Sequence, residues 1–287
     1  MIIDLHIHSK NSDGTFTVNE IFEIAKNKKI SMLSITDHDS ISCQKQASIL
    51  AKKSEIRYIT GVELNVTFVN QKNLDKKSIS LDFLGYNFDF ENRELQNKLD
   101  IITQYRQRRA LKILMKLNQE FKKNQLNELT KEDFIKIQQS TDGVLGRPHI
   151  ADYLIKKGIV KDRKEAFIKY LVNCNFPKYP LYPKEAAKLI KNAGGKIILA
   201  HPNDPYGTSL NKLTSSLIEQ TKIIDESLLK YIDGIECWHS RSDEKTTNHY
   251  LAYAKNRKLL VTGGSDCHQK PIIMGTVNVP SYVADQF

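Results

Sequence analysis

Cysteine is scarce in this 287-residue chain, and what there is lies far apart. Cys43, Cys174, Cys237 and Cys267 form no CxxC pair, which excludes a disulfide framework and a thiolate zinc knuckle as the organising device. They read as reduced core thiols. Long apolar runs are missing too, and no stretch approaches the roughly 20 residues that a spanning helix needs. The first residues form an apolar strand that ends in metal-binding side chains, not a signal peptide, so a soluble, cytoplasmic protein is expected, with no membrane contact. Internal repeats and low-complexity tracts are also lacking, and no obligate protein partner is evident. With 40% hydrophobic residues, the chain has material for one large core, with or without a smaller appended unit.

Positive charge is plentiful and concentrated. Residues 91–185 hold 20 Lys and Arg against 12 Asp and Glu, so +8 of the net +10 lies there. Scattered lysines by themselves make a solvated surface, whereas a local excess beside a reactive site draws in anionic substrates such as phosphates or short RNA. Both readings stand at this point.

Apolar runs alternate with amphipathic segments as repeated βα units do. Met1 to His8, Ser31 to Thr36, Ile56 to Val69 and Ile79 to Tyr86 read as strands, with helices over Val18 to Lys28 and Ile41 to Lys53 between them. After Pro183 the pattern resumes with helix Lys184 to Asn192, strand Lys196 to Ala200, helical Leu213 to Tyr231, strand Gly234 to Trp238, helix Asp243 to Arg257 and strand Leu259 to Thr262. An α/β parallel barrel is the expected closure, formed by residues 1–90 and 186–287. Residues 91–185 interrupt it with one long charged helix, Asn92 to Lys123, and shorter ones at Lys131 to Gln138, His149 to Lys157 and Asp162 to Leu171. This block is expected to be a helical cap over the ligand-bearing mouth. Asn70 to Lys77 reads as a polar hairpin loop.

Groups suited to hard or borderline metal ions recur at the ends of the apolar runs: His6 and His8, Asp13, His38, Glu63, Asp82, His201, and Asp266 with His268. Imidazole and carboxylate together suit Zn, Mn or Fe, and several converging can hold more than one ion for metal-assisted hydrolysis. Polar groups of this kind are poor candidates for an ordinary core, where each would need a partner. Simpler roles exist for some of them. Asp13 precedes Gly14 as a turn residue does, Asp37 or Asp39 suits a helix cap, and His201 before Pro202 suits a strand terminus.

Taken in order, His6-Ile7-His8, Ser12-Asp13-Gly14, Thr36-Asp37-His38, Gly61-Val62-Glu63, Ala200-His201-Pro202 and Gly263-Gly264-Ser265-Asp266-Cys267-His268 resemble the signature of the PHP (polymerase and histidinol phosphatase) family. Gly146-Arg147-Pro148-His149 and Gly234-Ile235-Glu236-Cys237-Trp238-His239-Ser240 resemble its branch of small phosphoesterases acting on nucleoside 3',5'-bisphosphates, nucleoside monophosphates or short RNA 5' ends. The resemblance implies a distorted seven-stranded β/α barrel, TIM-like, holding two or three divalent ions. It implies one ion on His6, His8, Glu63 and Asp266, a second on Glu63, residue 82 and His201, and a third on Asp13, His38 and His268. The attacking group would be a hydroxide activated by these ions, with Glu63 bridging and Asp266 beside it as the catalytic pair. The chain departs from the family at Leu81-Asp82-Phe83-Leu84-Gly85-Tyr86, where a histidine is usual in place of Asp82. A carboxylate there still binds metal and favours harder ions.

Arg147 and His149 are expected to contact substrate phosphate or base, although Gly-Arg-Pro-His also reads as a loop and helix start. His239 and Arg241 suit a second phosphate or a polar loop equally. Asp37 is expected to orient a ligand histidine, His249 to be structural, and the Tyr105 to Lys116 run to be a solvated helix face. The expected function is a metal-dependent phosphatase acting on a small nucleotide. A 5'-3' exoribonuclease on short RNA and a non-catalytic metal or nucleotide sensor are the competing readings.

Overall fold

The computed structural model describes residues 1–70 and 78–287. Most of the loop expected at Asn70 to Lys77 therefore falls outside the described residues. The chain folds as mixed α/β with two sheets. Strands β1 (Ile2–Ile7), β2 (Ile30–Ile35) and β3 (Arg57–Tyr58) make a parallel three-stranded sheet. Strands β4 (Gly61–Val69), β5 (Ser78–Tyr86), β6 (Lys196–Leu199), β7 (Gly234–His239) and β8 (Leu260–Gly264) make a five-stranded one.

The expected single parallel barrel needs correcting in two respects. The pairs β4–β5 and β5–β6 are antiparallel; for β4–β5 the link between Val69 and Ser78 is far too short for a parallel crossover. The ladders also stop short of closure. Single bridges, Ile7 to Cys267 and His38 to Glu63, join the two sheets, and both lie where ligands were expected. The expected strand Ile56 to Val69 is split at Ile59 and Thr60, its two parts belonging to different sheets.

Flanking helices cover the strands. In α1 (Val18–Asn27) the buried Val18, Ile21, Phe22 and Ala25 follow the i, i+3, i+4, i+7 stripe, and Thr17 and Glu20 form a capping box. The helices α2 (Gln44–Ser54), α7 (Pro183–Asn192) and α9 (Glu244–Arg257) complete the layer. The single helix expected over Leu213 to Tyr231 is instead a 3-10 turn at Leu210–Lys212, α8 (Leu217–Ile223) and a π-helical turn, because the Ser216 side chain caps a new start through the Glu219 amide.

Between β5 and β6, α3 (Arg93–Lys123) is followed by α4 (Lys131–Gln138), α5 (Arg147–Lys156) and α6 (Arg163–Ala166), which runs into a π-helical turn. The helix α3 belongs to two cores. Leu95, Leu99 and Ile102 pack into the main core under β4 and β5, while Ile113, Leu117 and Phe121 join Ile137, Ile150, Leu154 and Leu171 in a second one. This helical unit docks onto the loop after β1. The amides of Asp142 and Val144 donate to the carbonyls of Lys10 and Asn11 at 2.9 and 3.0 Å. No helix among the described residues is long and apolar enough to cross a membrane.

Candidate metal centre

On β1, the side chains of Asp4 and His6, continued by His8 beyond its end, alternate with Ile3, Leu5 and Ile7, so a strand of period two sends the polar set to one side. All six residues are buried. The strand β8 presses against this polar row, and Gly264 makes that approach feasible: a Cβ there would lie 2.4 Å from the His6 amide nitrogen. Beyond β8 the Asp266 amide donates to the His6 carbonyl at 2.8 Å, which aims the Asp266 carboxylate inward. Asp266 has φ 55° and His201 φ 24°, conformations that must be held by their surroundings. In His201 the backbone amide is held by Glu236 Oε2 at 2.8 Å.

The expected ligands converge. His8 Nε2 is 3.2 Å from both Glu63 Oε2 and Asp266 Oδ1, His6 Nε2 is 3.4 Å from the same two oxygens, and His38 Nδ1 is 3.0 Å from Glu63 Oε2. Two ligands about 2.1 Å from one ion stand about 3.0–3.4 Å apart in octahedral or tetrahedral geometry. The observed spacings are the edges of such polyhedra. Among the described residues, four sets have ligand atoms within 4.8 Å of one another: His6, His8, Glu63 and Asp266; His8, Asp13, His38 and His268; His38, Glu63 and Asp82; and His6, Glu236 and His239. Asp82 thus meets Glu63 through His38, whereas His201 Nε2 faces the other Glu63 oxygen at 3.0 Å.

The donor set fits divalent ions for a further reason. Buried His6 Nε2, His8 Nε2, His38 Nδ1, Asp13 Oδ1 and Glu63 Oε2 make no hydrogen bond, and such atoms are costly unless a ligand completes them. Their partners on the outer side fix the tautomers. His6 Nδ1 lies 2.9 Å from Glu236 Oε1 and His268 Nδ1 2.9 Å from the Asp266 carbonyl, so each carries its proton there and turns a lone pair inward from Nε2. Asp37 acts one residue removed: it takes the hydroxyl of Ser12, which lies 3.5 Å from His8 Nδ1. His239 has the opposite tautomer, because its Nδ1 accepts from the Arg241 amide at 3.2 Å. It turns Nε2 toward Asp266 Oδ2 at 3.4 Å, and that nitrogen, like the inner atoms of His6 and His8, makes no hydrogen bond.

Electrostatics follow from this crowding. Burial disfavours the imidazolium of His8, but Asp266 and Glu63 reverse that and push it up to about 10. The same opposition, dominated by Glu63, takes His201 to about 9. Burial likewise raises Glu63 and Asp266, yet His38 and His6 for the first, and His268 and His6 for the second, hold both well below the usual carboxylate range. Asp82 is raised, by burial and then by Glu63. Its oxygens are engaged by the Asn65 amide at 2.5 Å and by the Thr208 hydroxyl.

The residues expected to bind substrate separate into two groups. Arg147 lines a cavity of about 160 Å³ that also meets Asp13, His38, Arg106 and Lys178. Arg241 ion-pairs with Asp266 and, at 2.9 Å, with Asp204. His149 is placed differently: its Nδ1 accepts from the Gly146 amide at 2.9 Å and its Nε2 is 2.8 Å from the Ser12 carbonyl. Both ring nitrogens are used, so it pins the helical unit to the loop carrying Asp13. His249 stacks edge-on against Tyr250, away from this cluster. Sequence reasoning missed Glu236, Asp4 and Lys178. Asp4 shares the face of β1 that carries His6, and that alternation was the available signal for it. Burial lowers Lys178 to about 8.

A sequence profile described as the PHP domain matches residues 4–237. The chain belongs to the PHP domain family. Among its PHP relatives, a 5'-3' exoribonuclease of Haemophilus influenzae is 30% identical over 206 residues, 69% of this chain and 68% of that one. A 3',5'-nucleoside bisphosphate phosphatase of Chromobacterium violaceum is 26% identical over 93% of this chain and 87% of its own length. In structure, a Bifidobacterium adolescentis protein assigned as a metal-dependent phosphoesterase superposes with a TM-score of 0.81 at 26% identity, covering 99% of this PHP chain and 94% of its own.

Proposed function

We propose that this PHP protein is a metal-dependent phosphoesterase that removes phosphate from a small nucleotide, a nucleoside 3',5'-bisphosphate or monophosphate. The observation that carries the reading is the convergence of unmatched, buried ligand atoms of His6, His8, His38 and Glu63 beside a cationic cavity. His6, His8, Glu63 and Asp266 would hold one ion, and Asp13, His38 and His268 another. Asp82 with Glu63 and either His38 or His201 would hold a third. Manganese, iron or zinc suits this donor set, and such ions lower the pKa of water and offset charge on phosphoryl oxygens.

The protein's own groups do the rest. Glu63 and Asp266 anchor the centre, and the His239 N–H and the Arg241 guanidinium offer donors at its edge. Arg147 and Lys178 supply charge in the adjoining cavity for a second phosphate of the same nucleotide, while His149 sets the height of the cap. Burying cation and phosphate together strengthens their attraction and fixes orientation. The two bridges between the sheets support reading them as one distorted seven-stranded barrel, with β3 and β4 counted as the one expected strand and residues 91–185 inserted as its cap. Four buried free cysteines suit a reducing, cytoplasmic setting.

The test is phosphate release from bisphosphate, monophosphate and aryl phosphate by protein reloaded with each metal. Arg147→Ala is expected to raise KM at least tenfold for the bisphosphate and much less for the aryl phosphate, about the worth of one charged hydrogen-bond pair. Failure to release phosphate from any of the three with any metal refutes the reading.

A further inference from the structure

Asp204 is a buried carboxylate that belongs to none of the ligand sets. It lies three residues beyond His201, in a turn closed by its own amide on the His201 carbonyl at 3.1 Å and by the Ser209 hydroxyl on its carbonyl at 2.6 Å. Its Oδ1 accepts from the Tyr206 amide at 2.9 Å, the local bond by which an Asp side chain builds a turn. Its Oδ2 makes no hydrogen bond and stands 2.9 Å from Arg241 Nη2 in an ion pair. A buried charge of this kind is costly unless a counter-ion meets it, and among the described residues Arg241 is the one that does. Gly207 leaves room for that oxygen: a Cβ there would lie 2.3 Å from Asp204 Oδ2.

Arg241 follows β7 as Asp204 follows β6. Its Nη2 is shared between Asp204 and Asp266 Oδ2, whereas Nε and Nη1 make no hydrogen bond among the described residues, and 40% of the side chain is exposed. A guanidinium with a purely structural duty looks like Arg109, buried and matched by Phe176 and Asn175. Arg241 instead keeps three of its five N–H donors open. It does not compete with an ion for Asp266. The Oδ1 of Asp266 faces His6 and His8 Nε2 at 3.4 and 3.2 Å, while Oδ2 faces His239 and Arg241. An ion on Oδ1 leaves Arg241 in place, one carboxylate away from it. Without Asp204 the guanidinium would be tethered through Asp266 alone, on a long side chain with much rotamer freedom to lose.

We propose that Asp204 is a positioning residue for phosphoester hydrolysis, anchoring Arg241 beside the metal centre so that the free edge of the guanidinium meets the reacting phosphate. Asp204 touches no substrate itself. This rests on the phosphoesterase reading above and deepens it, by naming the residue on which the phosphate contact of Arg241 depends.

The test is calorimetric titration of inorganic phosphate into manganese-loaded protein freed of excess metal. Asp204→Asn keeps the turn through its side-chain oxygen and should weaken phosphate about tenfold, the worth of one charged hydrogen bond, with the number of ions per chain unchanged. Gly207→Ala should act in the same direction, because the added Cβ displaces Oδ2 and leaves the charge. In an Arg241→Ala background neither substitution should weaken phosphate further, since a residue that acts through Arg241 has nothing left to hold. Turnover is read alongside. For Asp204→Asn, kcat/KM should fall about tenfold for a nucleoside bisphosphate and an aryl phosphate alike, since both present the reacting phosphate. Absence of phosphate binding by the wild type, wild-type affinity in either single variant, a loss that persists in the Arg241→Ala background, or a lost ion would overturn the proposal. Release from the aryl phosphate that Asp204→Asn leaves unchanged keeps the phosphoesterase and removes the anchoring, whereas Arg241-dependent phosphate binding without release does the reverse.

Discussion

The candidate metal centre and the inserted helical unit bury charge in opposite ways. In the cap, Asp133 is saturated: it accepts from the Thr130 amide at 2.8 Å and the Tyr153 hydroxyl at 2.5 Å, and pairs with Lys157 at 2.8 Å. Arg109 is likewise matched by Phe176 and Asn175. At the strand ends, His6, His8, His38 and Glu63 turn unmatched atoms toward one another. A charge surrounded by its own partners is structural, whereas a cluster left incomplete on its inner side is built for something that arrives from outside. Substitutions in the two regions should therefore have opposite consequences.

The largest effect is expected at the shared ligands. Glu63→Gln or Asp266→Asn should lower kcat by about a thousandfold or more, because each removes a carboxylate that would hold an ion. Turnover close to wild type in either variant would remove the distinction between the regions.

Next in size is Asp82, where the chain departs from the family pattern. If its carboxylate is a ligand, Asp82→His should retain activity and shift the preference from manganese toward zinc, and Asp82→Ala should lose an ion per chain by elemental analysis. An unchanged ion count and an unchanged preference in the alanine variant would make Asp82 a partner of Asn65 and Thr208 alone.

The smallest effect lies in the cap. Asp133→Asn should cost about 1–3 kcal/mol of stability with kcat unaltered. Burial opposes the Asp133 carboxylate, but Lys157, Tyr153 and the Thr130 amide overcome it and hold the group below its usual range. Its contribution is present above the ordinary carboxylate pKa and disappears as pH falls through the lower folded value. Denaturation midpoints against pH should thus converge for wild type and variant at strong acid, and parallel curves would contradict this.

Much of the centre was legible in the sequence because imidazoles and carboxylates at the ends of apolar strands have no place in an ordinary core. The resemblance of the ordered motifs to one family added which of them share an ion. Glu236 was harder to see, since a single carboxylate in an apolar strand declares neither its face nor its partner. His149 read as a substrate contact because the local sequence cannot show that Gly146 and Ser12 already occupy its ring. The hairpin loop read at Asn70 to Lys77 already implied that β4 and β5 run antiparallel, whereas the long helical insertion before β6 left its direction against β5 open. The break between Lys212 and Leu217 was hidden by apolar spacing that a continuous helix satisfies equally well.

The account's central claim is that the incomplete inner faces of these residues receive divalent cations. With His8 raised to about 10 and His201 to about 9 in the absence of metal, both imidazoles hold protons at neutral pH, and an arriving cation must displace them. The same protonated groups stabilise the metal-free fold below about pH 6.5, and that support is lost as pH rises through 9 to 10. Calorimetric titration of metal-stripped protein with manganese, in buffers of different ionisation enthalpy, measures ion number and proton release together. The account predicts more than one ion per chain, net proton release at neutral pH, and affinity that rises with pH until those imidazoles are neutral. Saturable binding without proton release, or no saturable binding, would contradict it.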